Sequence, residues 1–143
     1  MKVLIDADAC PVTGIAADLC RRHQLRCILI CDTAHQIHRP GTETVTVDKG
    51  ADSADFAIVN LVESGDIIVT QDYGLASMCL ARGGRPIHQD GWEYHRYNID
   101  ALLFERHEAR KHRAAGGRMK GPKKRTAQQD AAFAQAFEKL LQG

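Results

Sequence analysis

Short apolar runs separated by helix-length segments are the strongest constraint on how this chain folds. Val3-Leu4-Ile5, Cys27-Ile28-Leu29-Ile30-Cys31 and Ile67-Ile68-Val69 are each too short for a buried helix and rich in β-branched residues, as strands covered on both faces are. Thr44-Val45-Thr46-Val47 alternates and reads as a further strand. Between and after them, residues 11–23, 52–63 and 73–82 carry apolar residues at helical spacing. Strands alternating with helices predict βαβ units, hence an α/β fold with a mostly parallel central sheet between helical layers. Arg85-Pro86-Ile87-His88 reads as an edge strand, the place where a sheet tolerates proline. A helix is predicted from about Asn98 to Ala114. Thr126 and Gln129 form a capping-box pattern ahead of a last helix, about 126–142, whose Phe133, Phe137, Leu140 and Leu141 share one face.

At 143 residues, 44% hydrophobic and 26% charged, the chain has the size and composition of one globular domain. No apolar run approaches the roughly 20 residues of a membrane span, and the N-terminus, one lysine and a strand, is not expected to be a signal peptide. A cytoplasmic protein without a membrane partner is the expectation. The five cysteines, Cys10, Cys20, Cys27, Cys31 and Cys79, form no Cys-x-x-Cys pair and read as apolar thiols.

The first strand ends on Asp6-Ala7-Asp8-Ala9-Cys10-Pro11. Pro11 suits the first position of a helix, so both acids lie at a strand-to-helix turn. In open α/β sheets that edge binds ligands. Asp72 follows the fourth strand, and Asp48, Asp52 and Asp55 follow the third. Asp52 and Asp55 stand three apart, on one helix face, although Asp52 also suits an N-cap and Asp48 a turn. With parallel strands these groups meet at one edge. Repelling carboxylates held together want a hard divalent cation, Mg²⁺ or Mn²⁺.

Charge is unevenly distributed along the chain. Residues 1–105 hold 15 Asp/Glu against 9 Lys/Arg, whereas residues 106–125 hold 9 Lys/Arg and one Glu. Arg106, Arg110 and Arg113 share a helix face, and Arg118, Lys120, Lys123, Lys124 and Arg125 follow in a Gly-rich loop, 115–125. These eight residues are the expected nucleic-acid contacts. Trp92, Tyr94 and Tyr97 precede them, as core packing or as stacking surfaces for bases.

Asp6-Ala7-Asp8-Ala9-Cys10-Pro11, Gly50-Ala51-Asp52-Ser53-Ala54-Asp55, Thr70-Gln71-Asp72-Tyr73, Asn98-Ile99-Asp100 and the Gly121-Pro122 loop resemble the YaiI/YqxD family of uncharacterised bacterial proteins. More widely, Asp6, Asp55-Phe56-Ala57-Ile58 and Gly65-Asp66-Ile67-Ile68-Val69-Thr70-Gln71-Asp72 resemble PIN-like nuclease domains. That second resemblance implies a three-layer α/β sandwich and a metal-dependent phosphodiesterase acting on nucleic acid, RNA above all. Asp6, Asp55 and Asp72 then hold the ion, with Asp8 assisting as a direct ligand or from behind one, and Asp52 able to join. Asp-x-Asp after a strand also resembles haloacid-dehalogenase-type phosphatases. There Asp6 is the nucleophile, Asp8 the acid/base, and Asp66 or Asp72 the acid near the last strand. A non-catalytic RNA-binding module is the remaining alternative.

Overall fold

The computed structural model describes residues 1–32, 37–50, 53–114 and 124–143, apart from the side chains of Arg106 and of residues 112–114. Its elements are β1 (Lys2–Asp6), α1 (Thr13–Arg22), β2 (Arg26–Asp32), β3 (Glu43–Val47), α2 (Ser53–Leu61), β4 (Ile67–Val69), α3 (Tyr73–Ala81), β5 (Arg85–Ile87), α4 (Arg96–Ala114) and α5 (Ala127–Gln142). The strands lie in the order β3-β2-β1-β4-β5, and every neighbouring pair is parallel. The sheet is thus wholly rather than mostly parallel.

β1 is the middle strand, with Val3 in register with Cys27 on one side and Ile67 on the other. Strand side chains alternate between faces. Val3, Ile5, Cys27, Leu29, Ile67 and Val69 therefore meet α1 and α5 on one face, where the Phe133 and Phe137 rings stack at 5.2 Å. Leu4, Ile28, Ile30 and Ile68 meet Ile58 and Val62 from the α2 segment and Leu75 and Cys79 from α3 on the other. Both faces being covered explains why the strands are apolar throughout rather than alternating. The layers are helix, sheet and helix. α4 is added outside α3, through Tyr94, Ile99 and Ala76. No helix among the described residues is long and apolar enough to cross a membrane.

Two local expectations shift. Pro11 precedes the first helix instead of opening it. The chain turns first, with Cys10 N–H donating to the Ala7 carbonyl and the Thr13 hydroxyl to the Cys10 carbonyl, and α1 starts at Thr13. The helix expected from Asn98 starts at Arg96, while Asn98 accepts the His95 N–H at 2.8 Å and donates to the Glu93 carbonyl. The last helix forms as expected, with the Thr126–Gln129 capping box closed in both directions.

Two clamps fix the edges. At the amino edge of the sheet, Asp66 is 3% exposed and accepts from Lys2 Nζ at 2.6 Å and from the backbone N–H groups of Lys2 and Glu63. Burial pushes its carboxyl up, but these donors together hold it below the usual range. Beyond β5, Gly91 has φ +97°, and a Cβ there would fall 2.6 Å from the Ala132 carbonyl oxygen. Glycine thus lets the 88–93 turn lie directly on α5. Arg125 seals that contact, donating to Asp130, to Asp90 and to the Gln89 carbonyl.

Candidate active site

From β1 the chain passes to β2 on one side, and from β4 it passes to β5 on the other. The carboxyl ends of β1 and β4 therefore flank a topological switch point, the usual crevice for ligands in an open parallel sheet. Asp6 is the last residue of β1, and Thr70 directly follows β4. The Thr70 side chain joins them: its hydroxyl donates to Asp6 Oδ2 at 3.0 Å and accepts the Asp72 N–H at 3.0 Å. Asp72 caps α3, its Oδ1 accepting from the N–H groups of Gly74 and Leu75 at 2.9 and 3.2 Å. Beneath them the Tyr94 hydroxyl donates to the Thr70 carbonyl at 3.1 Å, fully buried.

Ala9 takes φ +58°, so the chain leaves β1 through a left-handed residue and directs Asp8 back towards β2. The Asp8 carboxylate accepts the Asp32 N–H at 3.1 and 3.3 Å to its two oxygens. Asp8 thereby ties the β1 turn to the end of β2. Asp55 lies half-buried in the first turn of α2.

The electrostatics show that these groups share a neighbourhood. The Asp6 carboxyl is pushed up to about 6, first by burial and then by the charges of Asp55, Asp72 and Asp8, against the lowering effect of the Thr70 hydroxyl. The charges of Asp55 and Asp6 also reach the buried Cys79 thiol below. The donors are hard oxygens of the kind Mg²⁺ and Mn²⁺ prefer. Even so, no three His, Cys, Asp or Glu side chains among the described residues stand close enough to hold one ion. The acids act on one another across the crevice without closing into a coordination shell. Burial, and to a lesser extent the Asp6 charge, push the thiol of Cys10 in the same turn up, against the lowering effect of Thr13, Val12 and Arg125.

The remaining candidates separate. Asp52, Arg118, Lys120 and Lys123 lie outside the described residues, and Asp48 is exposed. Arg106 and Arg113 lie on α4, their side chains outside the description, while Arg110 and Lys124 are exposed. Arg125 is committed to its clamp, yet its charge is felt by the Cys10 thiol and by His88. The basic segment therefore ends at the carboxyl edge of the sheet. Asp66 stands at the opposite edge, away from the position the phosphatase resemblance needs. Of the aromatic trio, Tyr94 is core at 3% exposure, whereas Tyr97 is 83% exposed and Trp92 is 37% exposed.

Thr70 and Tyr94 join this hydrogen-bond network, and neither stood among the candidate residues of the motifs. Thr70 had a signal, a hydroxyl two residues before an acid at a strand end. Tyr94 had none, since its partner is 24 residues away.

The family described as "Uncharacterized BCR, YaiI/YqxD family" matches residues 4–143. The chain belongs to the YaiI/YqxD family. A UPF0178 protein of Exiguobacterium sibiricum is 53% identical over 141 residues, covering 99% of this chain and 96% of the relative. One of Clostridium acetobutylicum is 44% identical over 143 residues, covering 99% and 97%. One of Natranaerobius thermophilus is 38% identical over 141 residues, covering 99% and 96%. No solved structure matches the chain. The YaiI/YqxD match spans β1 to α5, so Asp6, Asp55, Thr70, Asp72 and Tyr94 all lie inside the region the family shares.

Proposed function

We propose that this YaiI/YqxD chain is a divalent-cation-dependent phosphodiesterase acting on nucleic acid, with RNA the favoured substrate. The observation that supports it is Asp6: a carboxyl at the switch point, pushed up to about 6 by burial and by Asp55, Asp72 and Asp8. A cation would relieve that repulsion, and the PIN-like resemblance of the same residues indicates the chemistry. Asp6, Asp55 and Asp72 would hold Mg²⁺ or Mn²⁺ only by drawing closer together than they now stand, with Asp8 assisting as a direct ligand or from behind one and Asp52 a further candidate ligand. When bound, the ion offsets phosphate charge and makes water a better nucleophile.

The chain's own residues do the positioning. Thr70 holds Asp6 and the Asp72 backbone in one frame. Tyr94 holds Thr70 from below. The basic segment, the expected contact for a phosphate backbone, ends at Arg125, whose own charge is held by Asp90 and Asp130.

Calorimetric titration with Mn²⁺, paired with cleavage of end-labelled RNA, tests the proposal. Saturable binding and EDTA-sensitive cleavage are expected, both lost in Asp6→Asn and Asp72→Asn. RNA binding that survives EDTA without any cleavage overturns catalysis and leaves a binding module. Trapping of a phosphoryl group on Asp6 overturns it in favour of the phosphatase.

A further inference from the structure

A trough of 310 Å³ opens on the flank of α4, walled by Trp92, Ala101 and Leu102 and edged by Asn98 and Glu105. Trp92 is the chain's one tryptophan. Its ring stacks on His88 at 4.3 Å and meets Tyr94 edge-on at 4.7 Å, yet 37% of the residue stays exposed. Tyr94 in turn donates to the Thr70 carbonyl. A continuous run of rings therefore leads from the Asp6–Thr70–Asp72 network to the trough. On the adjoining face of α4, Tyr97 is 83% and Phe104 65% exposed. They stand two helical turns apart on one line of the helix, which continues to Lys111.

We infer that this face receives the unpaired bases of a single-stranded nucleic acid. The inference rests on the nucleic-acid reading of the carboxyl edge and specifies its substrate as single-stranded. An indole beside an apolar slot and two solvent-facing rings offer π surfaces on which any base stacks. In a duplex those base faces are already covered, so the surface fits unpaired strand. Lys111 provides a cation for the phosphates, although Glu108 stands 3.9 Å away and tempers its charge. A second copy of the helix fits less well. A helix–helix seam needs apolar residues at alternating three- and four-residue steps. Ala101 fills the step between Tyr97 and Phe104, but the seam then runs onto His107 or Glu108 and Lys111, and so would bury charge.

Trp92 is its own reporter. With Asp6→Asn protein in EDTA, a short single-stranded RNA is expected to quench its fluorescence saturably, whereas a duplex of equal length or inorganic polyphosphate leaves it unchanged. Ala101→Glu, on the exposed rim of the trough, is expected to weaken that binding by about tenfold with unchanged melting temperature. Phe104→Ala is expected to weaken it less. Absence of quenching, or equal quenching by duplex or polyphosphate, overturns the inference. So does a dimer in sedimentation that Ala101→Glu dissociates while RNA affinity stays the same. Quenching in a protein whose wild type never cleaves RNA with Mn²⁺ supports the trough and overturns the catalytic reading. Cleavage without quenching does the reverse.

Discussion

Thr70 donates its hydroxyl to Asp6 across the junction of β1 and β4, at 3.0 Å, from a position 2% exposed. One buried side chain thus couples two strand ends that are 64 residues apart in sequence. Thr70→Val keeps the shape and removes the donor. It should cost about 2 kcal/mol in urea unfolding, the usual value for a hydrogen bond to a charged group. Cation affinity should fall with it, and Thr70→Ser should restore both.

Asp6 carries an electrostatic cost at neutral pH. Its folded value of about 6 lies above the ordinary 3.8, so the native state holds the proton more tightly than the unfolded chain. Below about pH 4 both states are protonated and nothing is lost. As pH rises from about 4 to 6 the unfolded state ionises first, and stability falls by about 3 kcal/mol. In EDTA, Asp6→Asn should therefore be more stable than wild type above about pH 6, and the gap should close near pH 4. A variant less stable than wild type at about pH 8 would show that the carboxylate is not repelled there.

A cation that binds only the folded crevice should raise the melting temperature of the wild type. At a hundredfold excess over its dissociation constant the gain is about 2.7 kcal/mol. Asp72→Asn isolates the charge, because asparagine caps a helix as well as aspartate does. It should keep α3 intact and lose the Mn²⁺-dependent shift. An undiminished shift in that variant would remove Asp72 from the site.

Asp66 behaves in the opposite way. Its carboxyl is held below the usual range by Lys2 and two backbone N–H groups, so its stabilisation is present above the ordinary carboxylate value and fades as pH falls. Asp66→Asn should destabilise the fold by about 1–3 kcal/mol near neutrality, since Lys2 Nζ then keeps only the exposed Glu63 as an acidic partner. Mn²⁺ binding should be unchanged, because this clamp sits at the far edge of the sheet. Loss of cation affinity in Asp66→Asn would show that the two edges are coupled.

Arg125→Met should release the 88–93 turn from α5, freeing Asp90 and Asp130. We expect a loss of about 1–3 kcal/mol, read by thermal unfolding. Greater protease sensitivity near residue 91 should accompany it. Unchanged stability and cleavage would mean that the Gly91 contact alone holds the turn.

The strands, helices and acid-bearing turns were legible because each is a local pattern. A short apolar run specifies a buried strand, Thr126 with Gln129 specifies a helix start, and an acid after a strand specifies a polar edge. Asp6, Asp55 and Asp72 could be picked out by that logic before any coordinates. Their partners could not. Asp8 reaches Asp32 only because β1 and β2 run side by side, and Asp66 finds Lys2 only because β4 pairs with β1.

The chain's linear order thus determined where acids stand at strand ends and that the strands run parallel. Only the packed sheet decided that β4 lies beside β1, so that Thr70 bridges two acids with Tyr94 beneath. It likewise decided that Arg125 is spent on a clamp, and that the aromatic cluster divides into core and surface. Strand order arises from many weak contacts over both faces of the sheet, and no local stretch of sequence encodes such a sum.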